Sequence, residues 1–283
     1  MDAQNRSSIL CPSCRRLVSV DEERCPYCGL GHPGSLWKKI TIGGGLLASN
    51  RIVTNIIALN VGMFIVSLLI HPGSTALSVN PLHFLSPSTN SLLLLGATGT
   101  IPIAQLHMWW SLLCANYLHG GILHILFNMM ALWQIGPLVV QEYGAYRMFA
   151  IYTLGGVGGY VVSYFAGVPI TIGASAAICG LIGATLYFGK SRGGQYGQMI
   201  YQQIIGWVVA IFAFGFLVPG MNINNWAHGG GLACGILTGY LLGYQERSAE
   251  KFSHKVLGVT CVAATLGALV WSFFWTLLVL GHA

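Results

Sequence analysis

Charge is what this sequence has least of. Of its 283 residues only 7% are Asp, Glu, Lys or Arg, against 54% that are hydrophobic, whereas an ordinary soluble domain carries roughly 25% charged residues. That scarcity excludes a soluble globular protein. Also missing are the alternating strands of about ten residues that mark a membrane-spanning barrel, and an open sheet could not satisfy its edge groups in lipid. Residues 1 to 51 are polar and hold no short apolar core with a small-residue cleavage pattern, so no cleavable signal peptide is expected and insertion begins with the first membrane helix.

What remains is a series of long apolar runs. They lie at about 52–70, 118–139, 147–166, 171–188, 199–218, 226–244 and 256–280, each long enough to span a bilayer as a helix. The expected fold is therefore all-α, a polytopic membrane bundle of seven helices. The net charge of +6 would invite a nucleic-acid reading in a soluble protein, but the placement of the charges answers differently. With a cytosolic N-terminus, Arg6, Arg15, Arg16, Arg24, Lys38, Lys39 and Arg51 precede the first helix on the inside. Arg147, Lys190, Arg192, Arg247, Lys251 and Lys255 fall in the later inside loops, and the C-terminus lies outside. Every Lys and Arg then obeys the positive-inside pattern, and adding or removing one helix would break it. The long outside connection, roughly 71–117, has no charged residue and includes Trp109 and Trp110. Two readings fit it equally: a segment sunk at the headgroup level, or a packed cap.

The N-terminus carries a separate pattern. Cys11 and Cys14 in CPSC, ten residues, then Cys25 and Cys28 in CPYCG form the paired knuckles of a four-thiolate tetrahedral zinc site, which would supply the folding energy that so short a segment lacks. Iron in the same cage, a redox pair and disulfides compete, the last disfavoured by the reducing cytosol that the charge rule implies. A closed site of this kind has no open position for chemistry. The module therefore reads as a docking or regulatory element, with room for a cytosolic partner. Cys114, Cys179, Cys234 and Cys261 are scattered in or near the helices and read as small packing residues.

Polar side chains are costly in a membrane helix and ask for a reason. Three helices hold them: His119, His124 and Asn128 in the second (NYLHGGILHILFNMM), Ser175 in the fourth (IGASAAICGLIGA) and His228 at the start of the sixth (NNWAHGGGLACG). Taken singly, such residues are ordinarily structural. Together they gain weight, because these three helices all run from outside to inside and place their starts at one level. Gly231, Gly235, Gly239 and Gly243 recur every four residues in the sixth helix, and Ser175, Cys179 and Gly183 do so in the fourth. Such small stripes let backbones approach closely, which would bring Ser175 within reach of a base in His228. His124 and Asn128 share one helix face, and with the backbone N–H groups at the start of the fourth helix they could receive a developing oxyanion. All seven acids, Asp2, Asp21, Glu22, Glu23, Glu142, Glu246 and Glu250, are cytosolic in this topology, which leaves a Ser–His dyad and no triad.

These residues resemble the rhomboid family of intramembrane serine proteases over about residues 50–245. The matching features are His119, His124 and Asn128 of the second helix, a Gly-x-Ser motif as Gly173 and Ser175, and an Ala-His-x-x-Gly pattern as Ala227, His228 and Gly231. The resemblance implies a six-helix core with a cavity open to the outside, cleavage of peptide bonds in or beside the membrane segments of other proteins, and no catalytic cofactor. The last helix resembles the extra one of six-plus-one members. Three positions depart from the family pattern: Ala176 where a glycine usually follows the serine, Cys179 where an aromatic residue commonly packs on the histidine, and Trp110–Ser111 in place of Trp-Arg.

The expected organisation is a cytosolic zinc-ribbon-like module at 1–35, a linker at 36–50, the rhomboid-like core at 51–245, and a cytosolic loop with the seventh helix at 246–283, in a cell membrane. The expected partners are transmembrane protein substrates and the bilayer, without nucleic acid. Three other functions compete, the weakest being nucleic-acid binding through the four-cysteine module, whose small positive excess the topology already explains. A non-cleaving, rhomboid-like binder of membrane helices would not need both Ser175 and His228. A transporter would place ionised groups near the midplane, where this chain has none.

Overall fold

A computed structural model describes residues 8–11, 16–34, 51–70, 76–77, 84–217 and 223–281. The chain divides into two compact units, residues 1–55 and 56–283. Cys14 and the linker expected at 36–50 lie outside the described residues.

In the first unit β1 (Ser8–Leu10) pairs antiparallel with β2 (Leu17–Ser19), Ile9 facing Val18. Pleating turns Val18 inward, where it forms a small core with Cys11 and Cys25, flanked by Ile9 and Leu30. The Cys25–Cys28 knuckle closes through Gly29 N–H to Cys25 O at 2.9 Å.

Seven helices of 18 residues or more are present among the described residues: α1 (Ile52–Ile70), α2 (Ile122–Tyr143), α3 (Ala145–Phe165), α4 (Ser175–Arg192), α5 (Gly194–Leu217), α6 (Asn225–Leu242) and α7 (Phe252–Gly281). One stands at each apolar run of the sequence. Five of them, α1, α2, α3, α5 and α7, are long and apolar enough to cross a membrane. The other two, α4 and α6, are rich in Gly, Ser and Thr, and α4 ends with Lys190 and Arg192. For α4 the lower hydropathy follows from its place in the fold, since every residue from Ala176 to Thr185 is buried against protein, whereas α6 keeps an exposed apolar face at Leu237, Tyr240 and Leu241. A helix that meets few lipids does not need a lipid-facing surface. The chain is a polytopic membrane helical bundle.

Small residues set how closely α4 and α6 pack. A methyl group on Gly231 would overlap the Ala176 carbonyl, one on Gly235 the Gly180 carbonyl, and one on Gly183 the Leu232 carbonyl. The two backbones therefore touch along their length, as small-residue stripes in membrane helices permit.

The charged residues of three connections gather at the end of the bundle where α4 finishes. Arg192 pairs with Glu246 through two contacts of 2.8 and 3.0 Å, and Tyr196 donates to Glu142 at 2.8 Å. Arg147 is fully buried, and its guanidinium donates to the carbonyls of Tyr143, Gly243 and Ser248. The Glu250 carboxylate accepts from the N–H groups of Tyr146 at 3.0 Å and Arg147 at 3.1 Å, capping α3.

At the opposite end the connection before α2 is folded onto the helices as a packed cap. Its described part has a short pair, β3 (Ala76–Leu77) with β4 (Phe84–Ser86), and then helical turns at Thr89–Leu94 and Ser111–Cys114. Leu95, Ala97, Ile103, Met108 and Cys114 are buried in it. Trp110 packs edge-on against Trp271 and Trp275 of α7 at 5.9 Å each, while Trp109 stays 58% exposed. Ser111 donates to Thr98 Oγ1 at 3.0 Å.

Candidate active site

Ser175 is the first residue of α4, not a turn inside it as the apolar run suggests. The reason is a long-range pairing. Thr171 forms an antiparallel bridge with Thr98, their N–H and carbonyl groups exchanging bonds of 3.1 and 2.6 Å, so the chain through residues 171–173 approaches α4 outside any helix. Gly173 then takes φ +126°, a conformation open to glycine and strained for other residues. Its backbone is pinned at both ends. The N–H donates to Ala115 O at 2.9 Å, and the carbonyl accepts from the buried Tyr160 hydroxyl at 2.5 Å.

His228 lies in the first turn of α6, mostly buried, and its Nε2 is 2.9 Å from Ser175 Oγ. The cap of α6 sets this geometry. Asn224 accepts from the Ala227 N–H at 3.1 Å, its Nδ2 donates to Ser163 Oγ at 2.6 Å and Thr171 Oγ1 at 3.0 Å, and its carbonyl accepts from the His228 N–H at 3.1 Å. One residue thus ties the serine's strand to the histidine's helix. The Phe212 ring of α5 stands edge-on to the His228 ring, with centroids 6.4 Å apart. His228 Nδ1 has no hydrogen-bond partner among the described residues.

His124, in the first turn of α2, accepts the Gly120 N–H on Nδ1 at 3.3 Å. That assigns the ring proton to Nε2. The point where a methyl on Gly173 would sit is 2.7 Å from His124 Nε2 and 3.6 Å from Ser175 Oγ, so the absent side chain leaves a space flanked by both groups. His119 is fully buried beside it, ring centroid 5.1 Å from that of His124. Asn128 is placed differently. It lies on the same face one turn along, but its Nδ2 donates back to His124 O at 2.8 Å. Gly231 is not at the reacting atoms. It supplies the close approach of α6 to Ala176.

The sequence reading did not single out Tyr160 or Asn224. Asn224 carried a usable signal, an Asn just before an apolar helical run, whereas Tyr160 reads as an ordinary core aromatic.

In the N-terminal unit the sulfurs of Cys11, Cys25 and Cys28 lie within 4.8 Å of one another, Cys11 and Cys28 at 3.7 Å. Thiolates about 2.3 Å from a tetrahedral zinc stand about 3.8 Å apart, so the described part of the cage fits a metal and is too open for a disulfide.

A polytopic membrane bundle with a serine and a histidine in contact at the starts of two closely packed helices defines the class as a membrane protein with the layout of a serine hydrolase. Residues 106–245 match the Rhomboid domain, and the chain belongs to the rhomboid family. It is 36% identical over 185 residues to "Rhomboid protease GluP" of Bacillus subtilis (strain 168), covering 65% of this chain and 36% of that protein. It is 33% identical over 165 residues to "RHOMBOID-like protein 4" of Arabidopsis thaliana, covering 58% and 41%. With "RHOMBOID-like protein 6, mitochondrial", also of Arabidopsis thaliana, it shares 31% over 188 residues, covering 61% and 56%. The matched region thus spans from about a third to just over half of these relatives' own lengths. α7 and the four-cysteine module lie outside the matched domain.

Proposed function

We propose that the chain is an intramembrane serine endopeptidase that cleaves membrane-anchored proteins in or near their transmembrane segments through a Ser175–His228 dyad. The contact of 2.9 Å between His228 Nε2 and Ser175 Oγ carries this reading, because a serine hydroxyl is a weak nucleophile until a base can take its proton.

In the proposed reaction His228 Nε2 removes the Ser175 proton as Oγ bonds to the carbonyl carbon of the scissile peptide. The carbonyl electron pair moves onto oxygen. His124 Nε2–H and the Ser175 backbone N–H, at the start of a helix where it has no partner in the helical ladder, donate to that oxyanion. Asn128 joins them on releasing the His124 carbonyl. His228 returns the proton to the leaving amine as the C–N bond breaks. Water, deprotonated by His228, then attacks the acyl carbon; the acyl C–Oγ bond breaks, Oγ takes the proton back from His228, and the product leaves as a carboxylic acid that ionises in water. His119 and Gly231 support the geometry without touching the reacting atoms. No step uses a metal or cofactor.

A helical substrate has its carbonyls hydrogen-bonded and shielded, so cleavage needs local unwinding, and helix-breaking or small residues near the scissile bond favour it. The substrate is proposed to arrive between α2 and α5. There Phe127 and Phe214 meet edge-on at 6.5 Å, and both rings are about half exposed.

The proposed topology has a cytosolic N-terminus, seven spans and an outside C-terminus, in a cell membrane. The proposed domains are 1–35, the linker 36–50, the core 51–245, and the loop with the seventh helix at 246–283. Cys11, Cys14, Cys25 and Cys28 are proposed to hold a structural zinc ion, which would supply folding energy to a module that can dock a cytosolic partner.

The test is co-reconstitution in lipid vesicles with a single-span reporter carrying Gly or Pro near the outer end of its span. The reading expects one cut there, absent with Ser175→Ala. An intact reporter that still co-purifies with the folded protein would instead identify a non-cleaving binder of membrane helices.

A further inference from the structure

α5 is the least buried of the five helices long and apolar enough to cross a membrane. Its buried residues are Gly197, Ile200 and Ile204, all in the first half. From residue 205 to 217 no side chain is fully buried, and described contacts there include Phe214 against Phe127 of α2, Phe212 against His228, and Gly215 beneath the Asn225 amide. Phe212 and Phe214 are two residues apart, which turns them about 200° around the helix axis. One faces the histidine and the other faces α2.

Few directional contacts with the described residues fix the plane of the His228 ring. Nε2 meets Ser175, Nδ1 has no partner among the described residues, and Phe212 is the one aromatic ring paired with it there. An imidazole held through a single nitrogen can pivot about that bond, and a rotated ring misdirects the lone pair that must receive the serine proton. The Phe212 ring reaches this turn of α6, its Cζ lying 4.0 Å from the point where a methyl on Gly229 would sit.

We propose that Phe212 is a positioning residue for His228, and that through it α5 links the opening of the α2–α5 seam to the alignment of the base. Moving α5 outward to admit a substrate withdraws the ring that orients the histidine. The dyad is therefore fully aligned only once α5 has closed again on the occupied seam. This rests on the proteolytic reading above and adds a coupling that the dyad alone does not require.

The test uses the full chain in lipid nanodiscs, with two readouts. The first is the rate of covalent labelling by a fluorophosphonate. Phe212→Ala should slow it roughly tenfold, short of the ~10²–10⁴ that a general base contributes. Phe212→Tyr should restore it, and Val209→Ala, at an exposed position of α5, should label like the wild type. The second is the ¹⁵N spectrum of the His228 imidazole, assigned by its loss in His228→Ala. It should be broadened or shifted in Phe212→Ala and unchanged in Val209→Ala. Phe212→Leu, which keeps apolar volume, guards against misfolding and should behave like Phe212→Ala. Equal slowing by Phe212→Ala and Val209→Ala, or an unchanged His228 spectrum in Phe212→Ala, overturns the proposal. An unlabelled wild type would count against the proteolytic reading, and the His228 spectra would still decide the positioning role.

Discussion

Gly173 is the residue on which the site turns. Its φ of +126° and the nearness of His124 Nε2 to its missing side chain make it both a bend and a space. Gly173→Ala should carry about 1–3 kcal/mol of backbone strain and push on the donor proposed for the oxyanion, lowering kcat/KM by roughly 10², measurable on the reporter. Tyr160→Phe is a milder probe. It leaves the Gly173 carbonyl without its 2.5 Å donor, so stability should fall by about 1 kcal/mol and serine labelling by a factor of a few, read by thermal unfolding and probe kinetics. Ser175, His228 and His124 were legible in the sequence because polar groups stand out in apolar helices. Tyr160 was not, since its role lies in one hydroxyl that only the folded backbone can place. Asn128 was legible as a neighbour of His124, but its inward bond to the His124 carbonyl depends on a rotamer that spacing does not determine.

At the scale of elements, the contact between α4 and α6 makes the dyad possible. Gly231→Leu should force the two helices apart at Ala176, costing about 1–3 kcal/mol through overpacking and lowering serine labelling by at least 10², as expected for loss of a general base. A variant that labels normally would show that the helix approach does not set the dyad. The Gly231, Gly235 and Gly183 stripes were readable in advance, as were the seven helices: α1, α2, α3, α5 and α7 from hydropathy alone, α4 and α6 from shorter apolar runs rich in small residues. Helix starts were less readable. α5 begins at Gly194, before its apolar run at 199, since Gln195 and Gln198 are helical without being apolar. α4 begins at Ser175, after its apolar run at 171, since the Thr98–Thr171 bridge claims the preceding residues. Such pairing joins positions far apart in the chain and leaves no local pattern.

At the scale of the whole molecule, the Arg147–Glu250 cluster joins α2, α3 and the connection to α7. Burial pushes the Glu250 carboxyl above its ordinary value, opposed by the Arg147 and Tyr146 N–H groups and the Arg147 charge. A carboxyl with a raised folded pKa contributes stability that is fully present below its unfolded value of about 4.3 and is lost as pH rises through the folded one. Unfolding temperatures of Glu250→Gln and the wild type should therefore diverge in favour of the variant between pH 4 and pH 7. The four-cysteine module makes a separate prediction. The purified chain should contain one zinc per molecule, and chelation should raise hydrogen exchange at residues 8–34 while serine labelling stays unchanged.

The central claim is an activated serine, and covalent capture tests it most directly. The purified protein would be treated with a fluorophosphonate and the modified peptide identified by mass spectrometry, beside Ser175→Ala and His228→Ala. One adduct per chain is expected, on Ser175, absent in both variants. An adduct that persists in Ser175→Ala, or a folded wild type that takes up no probe, would contradict it.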